Sequence, residues 1–165
     1  MNDVFLPGGP LDESRFLPVS WAMLRHACQA AAETKWETLR SPHVFIGLMA
    51  TPDDSVARWC ESLETTPAKM HRQFVRMFTQ ASKDSPRVRL HREFCSTNTI
   101  KLIRAAARQA SELSPPLIRP LDLLGGLLSD DGCVAACFRE SGYSAAVLRV
   151  LAREAEAGPA GRNAS

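Results

Sequence analysis

The chain has 165 residues, of which 45% are hydrophobic and 23% charged, and its formal net charge is +2. This size and balance are typical of one globular domain, and they exclude a globally disordered chain or one that coats nucleic acid or membrane through bulk charge. No apolar run approaches the ~20 residues that a membrane span needs, and no secretion signal opens the chain. The five cysteines lack the spacing of a disulfide framework. We therefore expect a cytoplasmic protein with reduced thiols.

Both ends of the chain are predicted to be flexible tails. Residues 1–15 are rich in proline, glycine and acid, and residues 157–165 are small and polar. Neither segment has a hydrophobic period. Between them the pattern is helical, and no segment alternates in the way that a β-strand does.

The chain resembles itself when Arg25 is aligned with Arg104 and the neighbouring residues follow without a gap. About ten identities fall in roughly 44 positions, which is the signature of an internal duplication. The further identities in this register include Arg40 with Arg119, Gly47 with Gly126, Glu61 with Glu140 and Ser62 with Ser141. We therefore predict a first repeat at 16–78, a linker at 79–95 and a second repeat at 96–156.

The first two helices of each repeat are marked by apolar periodicity. The first helix is predicted at about 20–34 and again at 97–113. The second helix is apolar nearly all round, so it is expected to lie at the centre of its repeat. In repeat one it is predicted to begin with Ser41 as N-cap and Pro42 at the first position, and in repeat two near Pro120.

The third and fourth helices follow from capping residues. Asp53-Asp54 and Asp130-Asp131 are predicted to begin the third helix, where negative charge suits the helix dipole. Thr66 and Ser144 are predicted to begin the fourth. The expected fold is all-α, a pseudo-two-fold tandem repeat of two four-helix units with eight helices.

Several segments together resemble the Clp amino-terminal domain, the Clp repeat domain found at the front of Clp-type AAA+ unfoldases. The resemblance covers about 16–154. Residues 41–49 look like the family segment [TE]-x-H-L-L-L-A-L-L, and residues 120–128 are its second copy. Phe16 with Leu24, Ala27 and Ala31 resembles the start of a repeat, and 57–63 and 136–142 resemble its A-x-x-L-x-x-x-G segment.

The resemblance implies a non-catalytic protein-interaction module with no cofactor. Its partner would be an adaptor, an unfolded or tagged client, or a component of a Clp unfoldase–protease in protein quality control. No G-x-x-x-x-G-K-[ST] phosphate loop is present, since Gly125-Gly126 is followed by two leucines and no lysine. We therefore expect no ATP binding and no enzyme activity, and a role as an adaptor, accessory subunit or decoy.

Some members of this family bind phosphoarginine through a threonine at each repeat start and a glutamate in the conserved segment. The corresponding threonine positions hold Leu17 and Ser96, and the glutamate positions hold Pro42 and Leu121. A guanidinium group needs a carboxylate for bidentate hydrogen bonds. Phosphoarginine recognition by this route is therefore not expected.

Three residues are candidates for contact with a protein partner. Trp36 lies in the loop between the first two helices among charged neighbours, where an exposed tryptophan would anchor a partner. His43 and Asp122 occupy the same position in the first turn of the two central helices. For these two, a structural role in capping competes with a role in a binding pocket.

Two other interpretations are open from the sequence. Cys133 and Cys137 are spaced for one helical face, but a pair of small packed residues explains them more simply than a metal site, and no metal is expected. The 69–92 stretch carries seven Lys or Arg residues against Asp84, so it could bind nucleic acid in an accessory protein. Phe74 and Phe78 within it have helical spacing, which favours the core over base stacking.

Overall fold

The structure is a computed structural model, and it describes residues 3–82, 84, 86–128 and 132–162, with side chains described to residue 156. Within these residues the only β-structure is isolated bridges, so the all-α prediction is confirmed. The helices are α1 (Pro18–Glu33), α2 (Ser41–Ala50), α3 (Asp54–Ser62), α4 (Pro67–Phe78), α5 (Thr97–Ala110), α6 (Pro120–Leu128), α7 (Cys133–Glu140) and α8 (Ala145–Arg162).

The central helices α2 and α6 each cross the first helix of their repeat at a glycine. A Cβ atom on Gly47 would lie 2.3 Å from the carbonyl oxygen of Met23. A Cβ atom on Gly126 would lie 2.5 Å from the carbonyl oxygen of Leu102. Gly126 and Leu102 are the counterparts of Gly47 and Met23 in the register that aligns Arg25 with Arg104, so the duplication predicted from the sequence places the same close crossing in both halves.

Two isolated β-bridges join the repeats reciprocally. Phe16 pairs with Ile118, and Leu39 pairs with Cys95, both in parallel orientation. In the same register, the counterpart of Phe16 is Cys95 and the counterpart of Leu39 is Ile118. Exchanging the two repeats therefore converts each bridge into the other, which is the relationship that a pseudo-two-fold axis produces.

After the central helices, the residue-by-residue alignment of repeat one with repeat two shifts by one residue. Glu64 and Gly142 both have a positive φ in the turn before the fourth helix. Thr66 and Ser144 accept hydrogen bonds in the first turns of α4 and α8 from Lys69 and Val147, respectively. Glu64 thus corresponds to Gly142 and Thr66 to Ser144, so the ungapped match predicted for Glu61 with Glu140 and Ser62 with Ser141 is off by one residue.

The register changes within the third helices, which begin at the N-caps Asp53 and Gly132 in the unshifted register and end in the shifted one. The amide of Thr65 donates to the carbonyl of Cys60 at 3.1 Å, and the amide of Tyr143 donates to the carbonyl of Phe138 at 3.0 Å. The C-terminal ends of α3 and α7 thus correspond in the shifted register. Their first turns correspond in the unshifted one, since the amide of Ala57 donates to the carbonyl of Asp53 and the amide of Ala136 donates to the carbonyl of Gly132.

Residues 3–15 are folded, contrary to the flexible tail predicted for 1–15. Val4, Phe5 and Leu11 are buried in the hydrophobic core. The carboxylate of Asp3 makes two hydrogen bonds with the guanidinium of Arg104 on α5. Proline and glycine here shape a compact turn whose apolar residues pack on distant parts of the chain.

Smaller differences concern helix ends. Arg40 is the N-cap of α2 and Ser41 its first residue, so the predicted start is one residue late. The α8 helix continues to Arg162, into the segment predicted to be a flexible C-terminal tail. Asp130-Asp131, predicted to begin the third helix of repeat two, lies outside the described residues.

An aromatic cluster fills the centre of the molecule between α2, α3, α4 and α7. The ring centroids of Phe45 and Phe74 are 4.4 Å apart. Trp59 and Phe138 meet edge to face with centroids 5.7 Å apart. Because these rings come from both repeats, the two halves share one core.

Candidate protein-binding surfaces

His43 is buried in the first turn of α2, with 1% of its surface exposed. Its Nδ1 accepts the backbone N–H of Arg40 at 2.9 Å, so the ring proton must lie on Nε2, which is 3.2 Å from the hydroxyl oxygen of Thr34. That hydroxyl donates to the carbonyl of Ala30. Burial lowers the pKa of His43 to about 4, with the charge of Arg40 adding to the effect.

Asp122 occupies the same place in α6 and is fully buried. Its Oδ2 accepts the backbone N–H of Arg119 at 2.9 Å, which repeats the cap that His43 makes in α2. The guanidinium of Arg119 also donates to both carboxylate oxygens, at 3.0 and 3.1 Å, and pairs with Glu156 on α8. The hydrogen bond with Asp122 raises the pKa of Arg119.

Trp36 is half-buried in the loop between α1 and α2. Its indole N–H donates to the carbonyl of Phe78 at the end of α4. The guanidinium carbon of Arg40 lies 4.9 Å from the indole centroid, in a cation–π contact. Of the three candidates, Trp36 is the one with a face open to solvent, because His43 and Asp122 are enclosed by the helices that they cap.

A groove between α4 and α7 was not predicted from the sequence. It has a volume of 510 Å³, and polar and apolar groups contribute almost equally to its lining. We call it the α4–α7 groove, and its principal lining residues are Met70, Phe74, Met77, Cys137, Phe138 and Tyr143. Met77 is 55% exposed, which is unusual for a large apolar side chain beside a core.

The basic 69–92 stretch divides between two elements. Its first part is on α4, where Phe74 is buried and Phe78 packs on it, so the predicted core role of these two rings is confirmed. The second part is in the segment between α4 and α5, in which Arg89 lies over the ring of Phe94 and 3.8 Å from the carboxylate of Glu93. Among the described residues of the stretch, the cations do not form one continuous face with exposed aromatic rings, as single-stranded nucleic acid would require.

Cys28 and Cys60 are buried packing residues, whereas Cys133 is exposed, contrary to the packed pair predicted for Cys133 and Cys137. Burial raises the pKa of Cys28 and of Cys60 to about 12, which keeps both thiols protonated and unreactive at neutral pH. Cys133 is exposed on α7 and Cys137 is half-buried one turn later. Within the described ranges, no group of three or more His, Cys, Asp or Glu side chains is placed to hold a metal ion.

Comparison with solved structures identifies the fold. The N-terminal domain of the caseinolytic protease-associated chaperone ClpD from Arabidopsis thaliana matches with a TM-score of 0.65 and 18% identity, over 88% of this chain and 96% of that one. The N-terminal domain of Hsp104 from Candida albicans matches with a TM-score of 0.65 and 15% identity, over 83% and 88%. A structure from preliminary structural investigations of a malarial protein secretion system matches with a TM-score of 0.65 and 17% identity, over 89% of this chain and 99% of that one.

These matches define the class of structure to which the molecule belongs. No protein-family model matches the sequence, and no curated protein is significantly similar to it. The molecule has the fold of Clp N-terminal domains, as the resemblance in its sequence predicts. Across the part of the chain that is described, no helix is long and apolar enough to cross a membrane.

Proposed function

We propose that this chain is a non-catalytic protein-interaction module that acts in cytoplasmic protein quality control. Its partner is an unfoldase or protease component of the Clp type, an adaptor of such a system, or an unfolded client. The observation that carries the proposal is the match to the N-terminal domains of ClpD and Hsp104 over 88% and 83% of the chain. The role is that of an adaptor or accessory subunit.

The chain's own residues support a role without nucleotide chemistry. Gly125 and Gly126, the nearest approach to a glycine-rich loop, lie inside α6. A phosphate loop needs backbone N–H groups that are free at a helix start, together with a lysine that reaches the phosphates. At Gly126 the helix is pressed against the carbonyl of Leu102 instead, so this glycine serves helix packing.

Trp36 is the candidate among the predicted contact residues that a partner can reach directly. Its indole N–H is already bonded to Phe78, so it would offer a partner the ring face and edge rather than a donor. Contact of a partner with His43 or Asp122 stays a prediction. Because both side chains are enclosed, we propose that they act by holding the N-termini of α2 and α6 in place.

The proposal is tested by reconstitution with a purified Clp-type unfoldase and its protease from the same cell. We expect the chain to bind the assembly with a measurable Kd in biolayer interferometry and to change the rate at which it degrades an unfolded model protein. Serum albumin in place of the chain is the control for crowding. Absence of binding to the unfoldase, the protease and the unfolded model protein would contradict the proposal.

A further inference from the structure

We infer that a groove along α5 binds an acidic segment of a partner protein through Lys101, Arg104 and Arg108. The inference rests on the proposed function, because it assigns a binding surface and a partner chemistry to the same interaction module. Three observations carry it: the charge of the groove lining, the line that the three cations form on α5, and the carboxylate that already binds the central one.

The groove lies where α5 packs against α6, and its volume is 660 Å³. We call it the α5 groove, and its charged lining residues are Lys101, Arg104 and Arg108. The described part of the lining includes no acidic and no aromatic side chain. Its remaining residues are neutral, and they include Ser41 and Asn98. The described lining is therefore positively charged.

The three cations share one face of α5. Residues three and four apart are neighbours on a helix, so Lys101, Arg104 and Arg108 form a line about 10 Å long. Lys101 and Arg108 are exposed, and neither makes an ion pair with a described residue. In an extended polypeptide, side chains on one side are about 6.6 Å apart. The line therefore suits carboxylates at alternate positions of an extended segment.

Arg104, the central cation, already binds a carboxylate of the chain itself. Its guanidinium donates to both carboxylate oxygens of Asp3, at 3.1 Å and 2.7 Å. This two-point contact is the geometry in which arginine recognises carboxylates. Both side chains remain open to solvent, since 43% of Arg104 and 37% of Asp3 is exposed. The carboxylate of a partner can therefore compete with Asp3 for this guanidinium.

The line of cations is specific to repeat two, and this supplies a matched variant. At the positions of Lys101 and Arg108, the α1 helix has Ala22 and Gln29. Alanine and glutamine are both good helix formers. Lys101→Ala combined with Arg108→Gln therefore removes two charges from the α5 groove and keeps α5 helical.

The test uses a short fluorescent peptide in which aspartates alternate with serines. One comparison peptide has asparagine in place of aspartate, and an oligothymidylate of equal charge represents single-stranded nucleic acid. In fluorescence anisotropy at low salt, we expect the full chain to bind the aspartate peptide saturably and the asparagine peptide about tenfold more weakly. The oligothymidylate should bind more weakly than the aspartate peptide, because the described lining offers its bases no aromatic ring to stack on.

Two double variants with the same loss of charge locate the binding. Lys101→Ala with Arg108→Gln should raise the Kd of the aspartate peptide about tenfold. Lys69→Ala with Arg72→Gln removes two exposed cations from α4, outside the α5 groove, and should leave the Kd within about twofold. Circular dichroism of each variant checks that it is folded.

The carboxylate of Asp3 provides a change in the opposite direction. Asp3→Asn removes the group that competes for Arg104, so the Kd of the aspartate peptide should fall about threefold. Glu13→Gln removes another exposed acid of the same segment, one that does not line the α5 groove, and should leave the Kd unchanged.

Equal Kd values for the α5 and α4 double variants, an unchanged Kd in Asp3→Asn, or tighter binding of the oligothymidylate than of the peptide would overturn the inference. Asp130 and Asp131 precede the lining residue Gly132 and lie outside the described residues. They are kept in every protein tested, so a groove that they neutralise would bind no peptide, which would also overturn the inference.

Failure of the inference is separable from failure of the proposed function. A chain that binds the unfoldase with the same Kd before and after the α5 double substitution is an interaction module that uses another surface. A chain that binds the aspartate peptide but no quality-control component contradicts the proposed function alone.

Discussion

Thr99 donates its hydroxyl hydrogen to the carbonyl oxygen of Leu39 at 2.7 Å, and this bond links the first turn of α5 to the loop of the other repeat. The counterpart of Thr99 is Ser20, which is also fully buried in the first turn of its helix. Within the described part of the chain, the hydroxyl of Ser20 finds no hydrogen-bond partner. The buried hydroxyl at this position thus has a hydrogen-bond partner in one repeat and none in the other.

Thr99→Val and Ser20→Ala are expected to change stability in opposite directions. Thr99→Val keeps the shape of the side chain and removes a buried hydrogen bond, which should cost about 1 kcal/mol of unfolding free energy. Ser20→Ala removes a buried hydroxyl that has no partner and should leave stability equal or raise it by ~1 kcal/mol. Urea denaturation monitored by circular dichroism measures both. A loss from Ser20→Ala as large as that from Thr99→Val would contradict this account.

The stability of the protein should fall as the pH falls from about 6.5 to about 4, because His43 is buried in its neutral form. Its pKa is lowered from 6.5 to about 4 in the folded state, so the unfolded chain binds more protons across that interval. The contribution lost is ~3 kcal/mol at 1.36 kcal/mol per pKa unit. Below pH 4 this contribution levels off.

The contribution of His43 is isolated by difference, since carboxylates also titrate at low pH. Unfolding free energies of the wild type and of His43→Asn are measured in urea between pH 4 and pH 7.5. The variant should be less stable at neutral pH, and the gap should narrow as the pH is lowered. A gap that is independent of pH would show that His43 is not held neutral by the fold.

Three glycine-to-alanine variants should separate backbone crowding from helix propensity. Gly47→Ala and Gly126→Ala bring a Cβ to 2.3 and 2.5 Å from a backbone carbonyl, so each should cost about 2–4 kcal/mol of unfolding free energy. At Gly125 the nearest atom is the flexible side-chain end of Gln109, at 2.7 Å. Gly125→Ala should therefore be neutral or gain up to ~1 kcal/mol of helix propensity. Thermal denaturation of the three proteins ranks them.

Trp36→Ala should weaken the binding of a quality-control partner and leave the helices outside this loop folded. The substitution removes the exposed ring and the contact with Arg40, so we expect at least a tenfold rise in Kd if the partner packs on this loop. Trp36→Phe retains an apolar ring and loses the bond to the carbonyl of Phe78, and it should restore most of the affinity. Biolayer interferometry against the reconstituted unfoldase gives both values. An unchanged Kd in the alanine variant would remove Trp36 from the interface.

The sequence was sufficient for the helical class and the duplication because both depend on local patterns. Apolar periodicity and caps such as Asp53 and Thr66 act within one or two turns, and the helices begin where these residues predict. The burial of Val4, Phe5 and Leu11 depends on contacts with distant residues, which composition does not reveal. Composition therefore predicts a tail for this proline- and glycine-rich segment, although its apolar residues belong to the core.

The candidate surfaces were harder to predict, for a related reason. The duplication predicts that His43 and Asp122 are equivalent, but their hydrogen bonds to the backbone of Arg40 and Arg119 depend on the three-dimensional shape of the turns before α2 and α6. The α4–α7 groove lies between helices from different repeats, and no local pattern in the sequence indicates which helices leave such a space between them.

The reciprocal bridges of Phe16 with Ile118 and of Leu39 with Cys95 have a consequence for a half-length chain. One repeat expressed by itself would present these backbone groups without their partners, and a second copy of the same half could supply both. Such a fragment would associate with itself through the very edges that now join the halves. The present chain is thus organised as a symmetric dimer whose two subunits have been fused into one polypeptide.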